Sequence, residues 1–434
     1  MSVESAQPPA PASTLRVFGH RDFAIFFTAA SISNGGSWMQ LVAVQALLYN
    51  LTNSGTWLGL STVVTLAPAV LLTPYAGVLA DRVSRQGILR ITQSVQMVTG
   101  FVLFGVYVSH VVSPGWIVGI GFVNGVTTGF QSATWQSFVP LLVPPEDMIA
   151  AVRMNSTQYT MARAIGPAFG GVIVAVWGIV ACILFDAVSY VLVIATLLLI
   201  RPRTNVVLAR QQKVMQGLLE GAAYLWNRRP LRLAVLLALT VATLGQSVQY
   251  IASALSERIF HHSSESNAGL LAAYGVGSVT SSIVTIRLGD RLRRSVQMIV
   301  GFGMFVVGIG LVPLTHVYFV GQVAFFIAGL GHLAVAVSLN TLIQGTVPDE
   351  YRGRAMSFYL LGLLAGLPIG SQVLGSLGDA IGFHTTLLLD AAALLAVIAF
   401  LLGTGLWRDM DATPEMIANT FETRRDAMSP ARSV

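Results

Sequence analysis

The chain has 434 residues, of which 54% are hydrophobic and 10% are charged, and its mean hydropathy is +0.71. Soluble domains carry about 25% charged residues, so this composition excludes a soluble enzyme or binding domain and indicates a polytopic membrane protein. The formal net charge of +6 comes from basic residues scattered over short loops, which argues against nucleic-acid binding.

In chain order, residues 1–15 are rich in Pro, Ala and Ser and predict a disordered tail. Twelve apolar segments follow, and each is long enough to cross ~30 Å of hydrocarbon as a helix. The segments lack the two-residue alternation of a β-barrel, so the predicted fold class is an all-α membrane protein. Their approximate bounds are roughly 22–49, 56–80, 86–108, 115–140, 148–177, 179–200, 231–256, 267–288, 295–313, 317–344, 353–380 and 382–406.

These segments predict a domain organisation with two six-helix bundles, at 16–200 and 231–407. Residues 201–230 form the long connection between the bundles, and its stretch 215–230 is amphipathic, which predicts a short helix on the membrane surface. Residues 408–434 complete the chain as a C-terminal tail.

Basic residues are concentrated in alternate loops, on the side shared by Arg16 and Arg21, whereas the opposite loops contain only Arg258. By the positive-inside rule, both termini and the central linker are predicted to be cytoplasmic. The expected location is the inner, or cytoplasmic, membrane. The basic residues of these loops are Arg82, Arg85, Arg90, Arg201, Arg203, Lys213, Arg228, Arg229, Arg291, Arg293, Arg294, Arg352 and Arg354.

The second half of the chain repeats part of the first at a constant offset of 204 residues. Duplicated membrane units are how many secondary transporters build two faces around one site, so the repeat favours transport. The six repeated pairs are Pro144 and Pro348, Glu146 and Glu350, Gly166 and Gly370, Gly171 and Gly375, Gly178 and Gly382, and Asp186 and Asp390.

The residues from Gly77 to Arg85 read GVLADRVSR, a small-residue helix end that runs into acidic and basic side chains. This stretch resembles the loop signature between helices two and three of the major facilitator superfamily, with Ser84 in place of the usual Gly. The resemblance implies two pseudo-symmetric six-helix bundles and a cytoplasmic latch that forms and breaks during transport. The alternative is an ordinary basic loop. The expected latch residues are Gly77, Asp81, Arg82, Arg85, Arg352 and Arg354.

The fifth predicted helix contains the run from Ala162 to Gly171, ARAIGPAFGG. It resembles the antiporter motif of drug/proton exporters in the same superfamily, with Ala162 in place of the first Gly. That resemblance implies a tight, sealing contact between the halves, because small residues let helices approach closely. Generic small-residue packing is the alternative. The expected motif residues are Arg163, Gly166, Pro167, Gly170 and Gly171.

Further stretches at 143–148 and 347–357 closely resemble a subfamily that includes the enterobactin exporter and macrolide efflux pumps. In this superfamily the first, fourth, seventh and tenth helices line the cavity. Their side chains here are polar and largely uncharged, which predicts a bulky, amphipathic, weakly charged substrate and argues against anionic solutes. The expected cavity residues are Asn34, Trp38, Gln40, Gln45, Asn124, Gln131, Trp135, Gln136, Gln246, Gln249, Tyr250, His332, Asn340 and Gln344.

Ionisable groups within membrane spans are costly and need partners or uses. His332, Asp186 and Asp390 are therefore candidate proton carriers. A packing role for His332 and a structural role for the two repeat-related aspartates are the alternatives.

The function predicted from these features is secondary active export of drugs, siderophores or lipophilic metabolites by alternating access with proton antiport. Import or uniport of a small neutral solute is the alternative. Catalytic motifs such as GxSxG or HExxH do not occur in the sequence, so no enzyme activity is expected. The expected partners are a small-molecule substrate, the lipid bilayer and protons, for a monomer with no cofactor, metal or nucleic acid.

Overall fold

The computed structural model describes residues 14–202, 222–288 and 291–416. The predicted disorder of residues 1–13 and the first part of the predicted surface helix, 215–221, lie outside these ranges, while residues 222–226 are helical. Within them the chain is helical and contains no β-strand. The long helices are α1 Arg21–Thr52, α2 Gly55–Arg82, α3 Arg85–Val108, α4 Pro114–Phe138, α5 Met148–Trp177, α6 Ile179–Leu199, α7 Arg229–Arg258, α8 Asn267–Leu288, α9 Arg294–Leu311, α10 Tyr318–Thr346, α11 Asp349–Ile381 and α12 Phe383–Thr404.

Ten of the helical segments among the described residues are long and apolar enough to cross a membrane. Helices α1 and α4 are not among these ten, although their 32 and 25 residues give lengths of roughly 48 and 37 Å. Both carry amides, such as Asn34 and Asn124, that lower their apolar character. The predicted all-α membrane fold is confirmed.

The repeat pairs occupy equivalent places in the two halves, α1–α6 and α7–α12. Gly178 joins α5 to α6 with φ +79°, and its mate Gly382 joins α11 to α12 with φ +87°. This left-handed region is readily open only to glycine, so the repeat keeps glycine where each half turns. Asp186 and Asp390 follow at matching depths in α6 and α12, and both are buried.

The two halves pack through α2 against α11 and through α5 against α8. Glycines make both contacts close. A Cβ on Gly375 would lie 2.1 Å from the carbonyl oxygen of Gly55, and a Cβ on Gly171 would lie 2.4 Å from the Cβ of Ala268. Gly171 and Gly375 are repeat mates, so the halves meet through two pseudo-symmetric glycine contacts.

Helix α7 differs from its counterpart α1, which is α-helical throughout. Its α-helical segments Arg229–Thr240 and Ala252–Arg258 are separated by a π turn, Val241–Gly245, and a 3-10 turn, Gln246–Ile251. Breaks of this kind are frequent at functional sites. Here the break contains Gln249 and Tyr250, which lie at the cavity described below.

The ends of the described chain pack on the bundles. Thr14–Gly19 forms a 3-10 helix, so residues 14 and 15 do not belong to a disordered tail. Leu406–Asp411 forms another, in which Asp411 accepts a hydrogen bond from the Ser295 backbone N–H at 3.0 Å. The second bundle therefore extends a few residues beyond the predicted boundary at 407.

Candidate functional site

A partly enclosed cavity of about 170 Å³ lies between the two halves, at the middle of α1. Five helices contribute to it: α1, α5, α7, α8 and α10. The residues that line the cavity are Trp38, Leu41, Gln45, Tyr159, Thr160, Arg163, Pro167, Gln249, Tyr250, Leu271, Tyr274, Gly275, Ser278, Val279, His332 and Leu333. A larger open depression of about 590 Å³ involves Arg293, Arg294 and Asp411 within the second half alone.

Arg163 dominates the electrostatics of the cavity. Of the described residues that line it, Arg163 alone carries a fixed charge. Its guanidinium carbon lies 5.5 Å from the ring centre of Trp38, within the range of a cation–π interaction. Tyr250, Tyr274 and His332 of the second half line the same cavity. The cavity is therefore an electropositive, aromatic site.

Three polar atoms in the cavity wall have no hydrogen-bond partner among the described residues. They are Oε1 of Gln45, Oη of Tyr274 and Nδ1 of His332, and all three are buried. The His332 ring lies 5.7 Å from the ring of Tyr274 and 6.1 Å from that of Phe305. A buried polar group without a hydrogen-bond partner costs about 1–3 kcal/mol of stability. A ligand or water that bonded to these atoms would remove that cost.

The structure brings together only some of the predicted cavity residues. Trp38, Gln45, Gln249, Tyr250 and His332 line this cavity, and their contact with substrate stays a prediction. Helix α4 contributes no side chain to this cavity, whereas α5 and α8, which the superfamily pattern did not point to, contribute most of the wall. A role in the substrate path stays a prediction for the residues outside the wall, namely Asn34, Gln40, Asn124, Gln131, Trp135, Gln136, Gln246, Asn340 and Gln344.

Three of these residues bond within the first half. Asn34 donates to Oε1 of Gln158 at 3.3 Å, and Oδ1 of Asn124 accepts from Thr99 at 2.7 Å. Trp135 donates from its ring nitrogen to Asn155 at 3.1 Å. These partners lie on α5 and α3, so the three side chains tie helices of one half together.

We call the face that carries Thr14 and Met416 the terminal face, and the opposite one the distal face. At the distal face, Asp379 joins the two halves. The Asp379 carboxylate accepts hydrogen bonds from the Ser54 hydroxyl at 2.6 Å and from the Gly55 backbone N–H at 2.8 Å. It also accepts from the backbone N–H of Thr56 at 2.8 Å and from its hydroxyl at 2.7 Å. Asp379, at the end of α11, therefore caps the N-terminus of α2 in the other half, where a carboxylate is stabilised by the helix dipole.

Arg258 makes a second contact between the halves at the distal face. It donates hydrogen bonds to the Tyr49 hydroxyl at 3.0 Å and to Oδ1 of Asn53 at 3.0 Å. The Ser264 hydroxyl donates to Asn50 at 2.5 Å in the same region. We call this set the distal gate: Tyr49, Asn50, Asn53, Ser54, Gly55, Thr56, Arg258, Ser264 and Asp379. The sequence marked Arg258 only as an isolated basic residue and did not point to Asp379.

The predicted latch lies at the opposite, terminal face. The surroundings of Gly77 and the side chains of Asp81 and Arg82 lie outside the described part of the structure. Arg85 opens α3 and donates to the backbone oxygen of Ser137 at 3.3 Å. Arg352 and Arg354 lie near the start of α11, as the latch requires. The contact itself stays a prediction.

The antiporter-like motif makes two kinds of contact. A Cβ on Gly166 would lie 2.6 Å from the Cβ of Trp38, and a Cβ on Gly170 would lie 2.9 Å from the Cα of Met39, so both glycines pack on α1 within the first half. Gly171 alone of the three meets the other half. Pro167 and Arg163 line the cavity. A seal between the halves at this motif stays a prediction.

The three candidate proton carriers differ in position. Asp186 lies between α1 and α6, where the Ser37 hydroxyl donates to its carboxylate at 3.0 Å. Neither carboxylate oxygen of Asp390 has a hydrogen-bond partner among the described residues. Neither aspartate lines the cavity, whereas His332 does.

The chain belongs to the transmembrane secretion effector family, whose model matches residues 12–428, and so to the major facilitator superfamily. It is 24% identical to the multidrug efflux pump Tap of Mycobacterium tuberculosis, over 91% of this chain and 95% of the relative. It is 21% identical to the staphyloferrin A transporter of Staphylococcus aureus, over 83% and 90%. Identity to macrolide efflux protein A of Streptococcus pyogenes is 22%, over 82% and 89%.

Solved structures share the fold. A bacterial homologue of the human lysosomal transporter Spinster, in an inward-facing and unoccupied conformation, aligns with a TM-score of 0.68 at 12% identity, over 95% of this chain and 99% of that chain. The nucleoside transporter NupG aligns with a TM-score of 0.69 at 13% identity, over 88% and 98%. The chain is a multi-pass membrane transporter of small molecules and not an enzyme.

Proposed function

We propose that this protein exports amphipathic small molecules across the cell membrane by alternating access, coupled to proton antiport. The observation that supports this most directly is the position of the cavity. It lies between the two halves, which the distal gate joins at one face. A substrate bound there contacts α1 and α5 of one half and α7, α8 and α10 of the other. Rocking of the halves would then expose the same site to either face.

In this proposal the terminal face is cytoplasmic, because the basic loops of the sequence belong to that side. Substrate enters from that face while the distal gate is formed. Export requires Asp379 to release the N-terminus of α2. Each of its four hydrogen bonds contributes roughly 0.5–1.5 kcal/mol net, so the gate is worth a few kcal/mol, a range that binding energy can reverse.

Proton antiport needs a group that exchanges its proton within reach of substrate. His332 is the candidate in the cavity wall, where substrate and proton would compete for the same space. Asp186 and Asp390 are farther candidates, because neither belongs to that wall. The proposal treats the monomer as the unit of transport, since one chain contains both halves and the site between them.

Everted membrane vesicles test the direction and the coupling. The vesicles are loaded with an acidic lumen, and uptake of a macrolide, a cationic dye and staphyloferrin A is measured with and without the protein. Export by antiport predicts accumulation above equilibrium that collapses when the pH gradient is dissipated. Uptake that only equilibrates would indicate a uniporter, and accumulation in right-side-out vesicles alone would indicate an importer.

A further inference from the structure

The cavity contains a positive charge that no acidic side chain among the described residues neutralises. Among the described residues, no carboxylate lies within salt-bridge distance of Arg163, and none of the lining residues is acidic. The ring of Trp38 lies 5.5 Å from its guanidinium and supplies only a partial countercharge. A cation within a membrane span is costly unless it has a partner or a use.

We propose, on the basis of the export function above, that the transported substrates are amphipathic organic anions whose anionic group binds Arg163. The apolar body of the substrate then lies against Trp38, Leu271 and Leu333. An arginine fork is well suited to a carboxylate or sulfonate, because it donates two parallel hydrogen bonds in a fixed plane.

Other groups in the wall fit an anion. The hydroxyl of Tyr274 has no acceptor among the described residues although the residue is buried, and Nδ1 of His332 likewise has no partner. Both groups line the same cavity as Arg163, and their ring centres lie 5.7 Å apart, so they share one region of it. The Tyr274 hydroxyl and the Arg163 guanidinium donate hydrogen bonds, and Nδ1 of His332 donates in its Nδ1–H tautomer, so together they form a binding site for negatively charged oxygen atoms.

A cationic substrate fits this cavity poorly. It would lie beside Arg163 with no acidic side chain in the wall to balance the two charges. The sequence argued against anionic solutes because the four helices expected to line the cavity contain no charged anchor. The structure removes the premise of that expectation, since α5 places Arg163 in the wall.

Binding to the purified full-length protein tests the proposal with two naphthalenes that differ in charge. The probes are 2-naphthalenesulfonate, which is anionic at all accessible pH values, and neutral 2-naphthalenesulfonamide. Ligand-induced thermal stabilisation gives their affinities. We expect the sulfonate to bind at least roughly tenfold more tightly, as a charge-assisted hydrogen bond predicts. A (2-naphthyl)trimethylammonium ion should bind more weakly than either.

Variants assign the preference to Arg163. Arg163→Gln should remove the preference for the sulfonate and leave sulfonamide binding within about twofold, and Arg163→Lys should retain part of the preference. Arg153→Gln is the matched control, because Arg153 is an exposed arginine on the same helix. Tyr274→Phe should weaken sulfonate binding by a few-fold, and it provides an independent test if Arg163→Gln does not fold.

The outcomes separate this inference from the proposed export. Equal binding of sulfonate and sulfonamide, tighter binding of the cation, or no stabilisation by the sulfonate would overturn the inference. An unchanged preference in both Arg163→Gln and Tyr274→Phe would also overturn it. Anion-selective binding without accumulation of any compound in everted vesicles would contradict export and leave the anion site standing.

Discussion

Arg163 and Asp379 are both charged side chains at the interface between the halves, but they differ in the partners that the protein gives them. The Asp379 carboxylate accepts four hydrogen bonds from the start of α2. Arg163 has the face of Trp38 and no acidic partner among the described residues. A charge that is hydrogen-bonded by protein groups stabilises one conformation. A charge in a cavity without an acidic partner can bind a ligand.

The internal repeat sharpens this comparison. At the offset of 204 residues, Arg163 corresponds to Leu367 and Asp379 corresponds to Ala175, so neither charge has a repeat mate. The glycines that repeat, such as the pair Gly171 and Gly375, make helix turns and close packing. We infer that the duplicated glycines build the scaffold, while Arg163 and Asp379, which differ between the halves, belong to the binding site and the gate.

The largest expected effect on transport comes from disrupting the contact between the halves at Gly171. Gly171→Leu would place a side chain where a Cβ already lies 2.4 Å from Ala268, so transport should fall to background. Gly105→Leu is the control, because a Cβ on Gly105 meets nothing within 4 Å. Full transport by Gly171→Leu would show that the α5–α8 contact is not needed.

The neighbouring motif glycines should fail for a different reason. Leu at Gly166 or Gly170 displaces α1 within the first half, and at Gly166 it pushes directly on Trp38 of the cavity wall. Transport should be lost in both variants, with substrate binding weakened most in Gly166→Leu. Unchanged flux and affinity in both variants would show that this packing is dispensable.

The terminal latch is expected to be as important as the distal gate. Asp81→Asn should abolish or strongly reduce transport while expression persists, because the carboxylate is predicted to hold the start of α11 when the terminal face is closed. Flux normalised to the amount of protein in the membrane is the measurement. Wild-type turnover of the variant would remove the latch from the mechanism.

Weakening the distal gate should shift the balance of conformations without abolishing binding. Asp379→Asn removes the charge at the N-terminus of α2 and should destabilise the closed distal face by about 1–3 kcal/mol. Spin labels are attached at Val111→Cys and Val317→Cys, both exposed on the distal face. The distance between them, measured by double electron–electron resonance, reports the separation of the halves. The single native cysteine, Cys182, is replaced by Ala.

We expect a larger population of long distances in Asp379→Asn and no change in Asp22→Asn, whose carboxylate lies at the terminal face. Identical distance distributions for the wild type and Asp379→Asn would contradict the role of the distal gate.

The smallest effect concerns proton coupling. His332→Ala should lower pH-dependent efflux and weaken substrate binding by no more than a few-fold, because the ring is one part of a wall formed by sixteen residues. Initial efflux rates between pH 6 and pH 8 are the measurement. Unchanged pH dependence with a loss in Asp186→Asn would transfer the role to α6. No loss in His332→Ala, Asp186→Asn or Asp390→Asn would contradict proton carriage by these groups.

The sequence predicted the fold well because membrane spans, loop charge and duplicated glycines are local features. It predicted the cavity only partly, since the direction in which α5 points Arg163 depends on how that helix is rotated against α1 and α8. The Asp379 cap was not predictable for a related reason. Its partners at Ser54, Gly55 and Thr56 are more than 320 residues away in the chain, and only the packing of α2 on α11 brings them together.

The most direct test of the account is the flux of 2-naphthalenesulfonate into everted vesicles that contain wild-type, Arg163→Gln or Arg153→Gln protein. The sulfonate does not cross the bilayer unaided at an appreciable rate, so uptake reports the transporter. The account predicts comparable uptake by wild type and Arg153→Gln, and at least roughly tenfold lower uptake by Arg163→Gln, the loss of one charge-assisted contact. Equal uptake by all three proteins would contradict the claim that the Arg163 guanidinium binds the anionic group of the substrate.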